Sequence, residues 1–150
     1  MNRTLIKNYI DVQPQKIVTK MDLEKNEIEY QEITQGQSIK EIRGDEEMSR
    51  AFLLTRLVNE LGYLPERIEI EHEYTAGRPH TNTSRIDVIV RDASGNAFLF
   101  IECKSPDAYS SDDKDQIIEE QLYKVAGMER TEGNSVRYLV LYTTVETDGK

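Results

Sequence analysis

The chain has 150 residues, 31% charged and 37% hydrophobic, enough for one domain with a core and too apolar for a disordered segment. With 28 acidic residues against 19 basic ones its formal charge is -9, which argues against a domain that grips nucleic acid unaided, because phosphate neutralisation supplies most of that affinity. No apolar run approaches the roughly 18 to 20 residues of a membrane span, Met1–Ile10 lacks the apolar stretch and cleavage site of a secretory signal, and a single cysteine excludes an internal disulfide; the expectation is a cytoplasmic protein.

Residues 1–43 alternate short apolar stretches with charge, "TLIKNYIDV", "KIVTK" and "EIEYQEI", which predicts an N-terminal extension of short, half-exposed strands. "GDEEMSRAFLLTRLVNELGY" then predicts a helix. Gly44 and Asp45 break and cap, Glu46 and Glu47 suit the positive end of the helix dipole, and Gly62 terminates. Ala51, Leu54, Val58 and Leu61 form one stripe at helical spacing. "RIEIEHEY" alternates as a strand, with Glu71 and Glu73 on a solvated face. "TAGRPHTNTS" is a polar loop, and neither its His80 nor His72 before it has a partner at metal-ligand spacing. "RIDVIVRDASGNAFLFIECKSP" reads as two strands joined about Ser94 and Gly95. "DDKDQIIEEQLYKVAGMER" is a second amphipathic helix, acidic at its start, and "VRYLVLYTT" is an apolar strand expected to be buried. The order helix, strand, strand, strand, helix, strand predicts an α/β domain over 44–150, a mixed sheet flanked by helices. The chain stops at "VETDGK" directly after that strand, which suits a natural end or a cut inside a longer polypeptide equally.

Three charges interrupt the hairpin. Glu102 and Lys104 alternate about Cys103 and so share a strand face, and folding about Ser94 and Gly95 brings Asp87 opposite the region of Phe100 to Glu102. A buried carboxylate pair costs several kcal/mol unless cations neutralise it. Mg2+ takes oxygen ligands, typically about one or two carboxylates with water and substrate phosphate. The adjoining lysine offers positive charge to an attacking water or a crowded phosphate. The pattern predicts metal-dependent attack on phosphate. An edge hairpin with solvated charges is the plain alternative, but "IDVIV" and "FLFIE" are too continuously apolar for one.

"RIDVIV" followed by "FLFIECKSP" resembles the PD-(D/E)xK nuclease signature, and in particular the N-terminal nuclease domain of the R (restriction and translocation) subunit of type I restriction enzymes. That family has a helix opening with Glu-Glu-x-x-Arg ahead of the signature, and "EEMSR", Glu46 to Arg50, stands in that place. The resemblance covers about Asp45 to Thr144 and implies a restriction-endonuclease-like core, α-β-β-β-α-β. It implies that Asp87 and Glu102 hold the metal, that Lys104 assists the attacking water and that Cys103 is structural. A glutamate on the first helix approaches the metal in some of these nucleases, which makes Glu47 a further candidate ligand; the other reading of Glu47 is a helix-dipole acid. The family's Gln-x-x-x-Tyr motif matches at Gln121, on the stripe of Ile117 and Val125, which gives it a role in positioning the site and DNA. Val125 stands where the motif has tyrosine, Tyr123 lies on roughly the opposite face, and Ile86 replaces the signature proline.

The resemblance implies a Mg2+-dependent endonuclease, with Mn2+ as a substitute, that cuts unmodified double-stranded DNA. It further implies modification and specificity subunits as partners, and ATP-driven helicase or translocase domains C-terminal in a longer chain. The 150 residues contain no G-x-x-x-x-G-K-[ST] loop, so ATP would bind outside them. Two other readings stay open: a catalytically silent DNA-binding or scaffold module of the same fold, and a free-standing resolvase-like or repair nuclease. Arg78, His80 and Arg85 are candidates for DNA-backbone contact or plain loop solubilisers.

Overall fold

The computed structural model describes residues 1–13, 16, 18–76, 82–110, 114–131 and 134–147; Arg78 and His80 lie outside them. The first apolar stretch is a helix, α1 (Arg3–Asp11), not a strand. Asn2 caps it by accepting from the Leu5 N–H at 3.3 Å, and Ile6 and Ile10, one turn apart, are buried. Leu5–Ile6 and Tyr9–Ile10 repeat every four residues, a helical period that short-range alternation conceals. The next two stretches do form strands: β1 (Thr19–Asp22) and β2 (Glu27–Tyr30) pair as an antiparallel ribbon, and β3 (Thr34–Gln35) joins the main sheet.

Helix α2 (Asp45–Asn59) starts after Gly44, whose φ of +91° favours glycine. It ends before Leu61, which is exposed and therefore leaves the expected stripe. The five-stranded sheet runs β3-β4-β5-β6-β7, with β4 (Ile68–Ala76), β5 (Asn82–Arg91), β6 (Ala97–Cys103) and β7 (Tyr138–Tyr142). The β4, β5 and β6 pairings are antiparallel, while β3 and β7 join the ends in parallel, so the sheet is mixed. β7 is a half-buried edge strand, where burial was expected. Its apolar run arises because Val140 and Tyr142 pack on one core while Leu139 and Leu141 pack on the other.

One face of the sheet is covered by α2 and the N-terminal segment. Ile6, Ile10, Val18, Ile28, Tyr30, Ile39 and Ile42 share a core with Met48, Leu54, Leu57 and Val58 of α2. After a short helix α3 (Pro106–Ser110), α4 (Lys114–Ile117), a π turn (Ile118–Tyr123) and α5 (Lys124–Thr131) cover the other face through Leu122 and Val125. The side chain of Ile117 lies outside the described set. The π turn rotates the buried face, so Leu122 is fully covered while Gln121 is only half-buried.

Candidate active site

The site begins with a break in the sheet. Val88 packs in the α2 core and Ile86 in the opposite core, although two residues apart on one strand they would ordinarily share a face. β4 makes the same change between Ile70 and Tyr74. Pairing stays in register across it, with Ile70 opposite Val88 and His72 opposite Ile86. Between these pairs lie Glu71 and Asp87, and Glu71 has φ +54°, an unusual backbone state for a residue with a side chain. Gly36 packs directly on this distortion: its N–H donates to the Ile70 carbonyl at 2.9 Å. A Cβ on Gly36 would stand 2.3 Å from the Glu71 carbonyl oxygen.

Asp87 sits at the break and Glu102 at the next register step beyond Ile101, which pairs with Val88. Both are buried. The Cys103 N–H donates to Asp87 Oδ2 at 2.7 Å, tying the two hairpin strands through a side chain. Lys104 Nζ lies 2.7 Å from Glu102 Oε1 and 3.9 Å from Glu46 Oε2. Glu102 Oε2 is buried and has no hydrogen-bond partner among the described residues. Cys103 is fully buried and burial pushes its thiol well up, so it is a core residue and not a thiolate.

Behind these groups lies Arg50, only 3% exposed. Its guanidinium meets Glu71 Oε1 at 2.6 Å, Asp87 Oδ1 at 3.1 Å and Glu47 Oε2 at 3.3 Å. The other Glu47 oxygen accepts from the Tyr30 hydroxyl. Glu47 therefore lies behind Arg50, and the acid of this helix that lines the cleft is Glu46. Glu71 is not on a solvated face as the alternation suggested: it is buried, and its second oxygen accepts from Arg85 at 3.0 Å. Its left-handed backbone ends the strand's regular in-and-out order, which is why alternation misplaced it. Glu73 does stay exposed, paired with Arg85 at 2.6 Å.

The cleft has a volume of about 650 Å³ and is lined by Glu46, Glu71, Asp87, Glu102, Lys104 and Gln121, with Arg85 and Lys124 among its basic side chains. Gln121 Oε1 is a second buried acceptor with no partner among the described residues. Acid charge is in excess here. Burial first, then repulsion from Asp87, pushes the Glu102 carboxyl up to about 7. Burial likewise raises Asp87, against the pull of Arg50, and raises Glu46 and Glu47. Burial opposes the charge on Lys104, but the Glu102 hydrogen bond and the attraction of Glu102, Glu46 and Asp87 together outweigh it and lift the ammonium above its ordinary value, so Lys104 is a cation at neutral pH. Among the described residues no group of three or more His, Cys, Asp or Glu side chains is already arranged around a common metal position.

This constellation falls inside a recognisable family. The model for the type I restriction enzyme R protein N terminus (HSDR_N) matches residues 45–131, more than half of the chain. The chain belongs to that family. No curated protein matches the sequence. The R-protein match begins at α2 and takes in β4, β5, β6 and the helices to α5, so Arg50, Glu71, Asp87, Glu102, Lys104 and Gln121 all lie within it. Tyr30 and Gly36, which support them, lie outside it.

Asp87, Glu102, Lys104 and Gln121, singled out from sequence, are brought into one cleft. Arg50 and Glu71 were missed as site residues. Arg50 carried a readable signal: it sits three residues after Glu47 and four before Leu54, on a stripe otherwise apolar or acidic. Glu71 carried none, because its inward turn follows from packing against Gly36, a residue distant in sequence.

Proposed function

We propose that this family member is the Mg2+-dependent endonuclease domain of a type I restriction system, built on a PD-(D/E)xK core. The observation that carries the reading is the convergence of Asp87, Glu102 and cationic Lys104 in one cleft where two buried acceptors, Glu102 Oε2 and Gln121 Oε1, have no partner among the described residues. The donors fit a hard cation, being carboxylate and amide oxygens in a place with more acid than base. Asp87 and Glu102 would hold the ion, which when bound supplies Lewis-acid polarisation of a phosphodiester oxygen and a more acidic water.

The protein's own groups do the rest. Arg50 and the Cys103 N–H fix the two Asp87 oxygens from behind. Lys104 gives one donor to Glu102 and retains others for the attacking water and for charge accumulating on phosphate. Arg85 and Lys124 offer the phosphate backbone positive charge across an otherwise acidic surface. Grip on DNA would come largely from translocase domains of a longer chain and from modification and specificity subunits, which reconciles an acidic domain with an anionic substrate.

Cleavage of unmodified plasmid by the assembled restriction complex with Mg2+ and ATP tests this reading. Asp87→Asn should abolish cutting, and Lys104→Ala should slow it by about 10² to 10³-fold, with assembly and DNA binding intact. Undiminished cleavage by either variant would overturn the assignment.

A further inference from the structure

Arg50 faces three carboxylates with one planar guanidinium, so its position is a compromise among them. The contacts to Glu71 at 2.6 Å and Asp87 at 3.1 Å both use Nη2, while Nη1 reaches Glu47 at 3.3 Å, the longest of the three. Glu47 tolerates this weak partnership because the Tyr30 hydroxyl donates to its other oxygen. Tyr30 is itself buried in the α2 core, and burial keeps its hydroxyl protonated and therefore a donor. It comes from β2, in the segment outside the family match.

We propose that Tyr30 is a positioning residue for Asp87: its hydroxyl satisfies Glu47, which leaves the Arg50 guanidinium free to orient the Asp87 carboxylate. Without that hydroxyl, Glu47 would hold a bare oxygen in a dry interior, where an unmet charged acceptor is costly. Arg50 Nη1 already stands 3.3 Å from its other oxygen. The guanidinium then moves toward Glu47 and loosens from Asp87, and the Asp87 oxygen facing the Cys103 N–H moves with it. The N-terminal segment thereby acts on the cleft without lining it. The consequence for metal affinity rests on the nuclease reading, whereas the displacement of Asp87 does not.

Tyr30→Phe keeps the ring in the core and removes only the hydroxyl. In metal-free protein, NMR should show the Cys103 amide and the Arg50 Nε–H resonances moving while the amides of Ile6 and Ile10 stay in place. Calorimetry with Mn2+ should show affinity about three- to tenfold weaker, the size expected when a charge-assisted bond is lost one step from the ligand. Glu47→Gln removes the competing charge, so alone it should shift the Cys103 amide in the opposite sense. In that background Tyr30→Phe should have no further effect. An unmoved Cys103 amide in folded Tyr30→Phe, or additive effects of the two substitutions, would overturn the proposal. Should Tyr30→Phe fail to fold, the Glu47→Gln shift decides alone, and its absence would overturn the proposal. A shifted Cys103 amide in a protein that binds no Mn2+ would uphold the relay and remove the metal reading instead.

Discussion

Glu102→Gln preserves the shape of a buried side chain and removes one charge from a cleft rich in acid. Burial and then Asp87 hold the Glu102 carboxyl at about 7, against an ordinary 4.5. A carboxyl whose folded value is raised binds its proton more tightly in the folded state. Its contribution is therefore most favourable below about pH 4.5 and is lost as pH rises toward 7, by about 3 kcal/mol in all. Glutamine does not titrate and escapes this loss. It still offers an oxygen to Lys104, but a neutral acceptor in place of a charged one gives back about 1 kcal/mol. The net gain at pH 8 is about 2 kcal/mol, or roughly 4 to 8 °C in Tm for a chain of this size. Thermal unfolding followed by circular dichroism at pH 4 and pH 8, with chelator present, measures it. The variant should melt higher at pH 8 and close to wild type at pH 4. A variant less stable than wild type at pH 8, or one displaced equally at both pH values, would refute the electrostatic account of the cleft.

Other substitutions probe the frame around the site. Gly36→Ala forces a methyl against the Glu71 backbone, which cannot swing aside as a side chain would, and should cost about 1 to 3 kcal/mol by thermal unfolding. Gly127→Ala, in α5 with open space at its Cβ, should instead be neutral or stabilising by up to about 1 kcal/mol. Arg50→Met strips the buried cation from Glu47, Glu71 and Asp87, and urea unfolding should show a loss of about 3 to 5 kcal/mol. That loss should shrink from pH 8 to pH 5, because burial already favours the protonated forms of Glu47 and Asp87 and acid relieves their repulsion.

The elements that sequence made legible are those whose pattern is local. The α2 helix shows in its Gly44 start and its stripe of Ala51, Leu54 and Val58, and the hairpin shows in two apolar runs about Asp92–Gly95. Asp87, Glu102 and Lys104 stood out because charge inside such runs is expensive and calls for a partner. What stayed hidden depends on contacts between distant segments. The α1 helix escaped notice because its four-residue repeat, Leu5–Ile6 and Tyr9–Ile10, occurs only twice and resembles alternation with polar residues until the core it shares with α2 is seen. The strand run "LVL" of β7 looked central because both its faces are packed, although its outer edge has no neighbour among the described strands. The inward turn of Glu71 packs against Gly36, and the buried Glu47 accepts from Tyr30; neither relation leaves a trace in either residue's immediate neighbours.

The proposed nuclease makes the cleft acids a cation site and the adjacent lysine a group that acts on substrate. Calorimetric titration of Mg2+ or Mn2+ into this chain and two variants tests it most directly. Asp87→Asn should lose metal binding, because a charge leaves the ligand set. Lys104→Ala should bind the ion as well as wild type or slightly better, because a repulsive charge has gone while both carboxylates remain. If Asp87→Asn binds the ion as tightly as wild type, the buried charges are structural and the nuclease reading is contradicted.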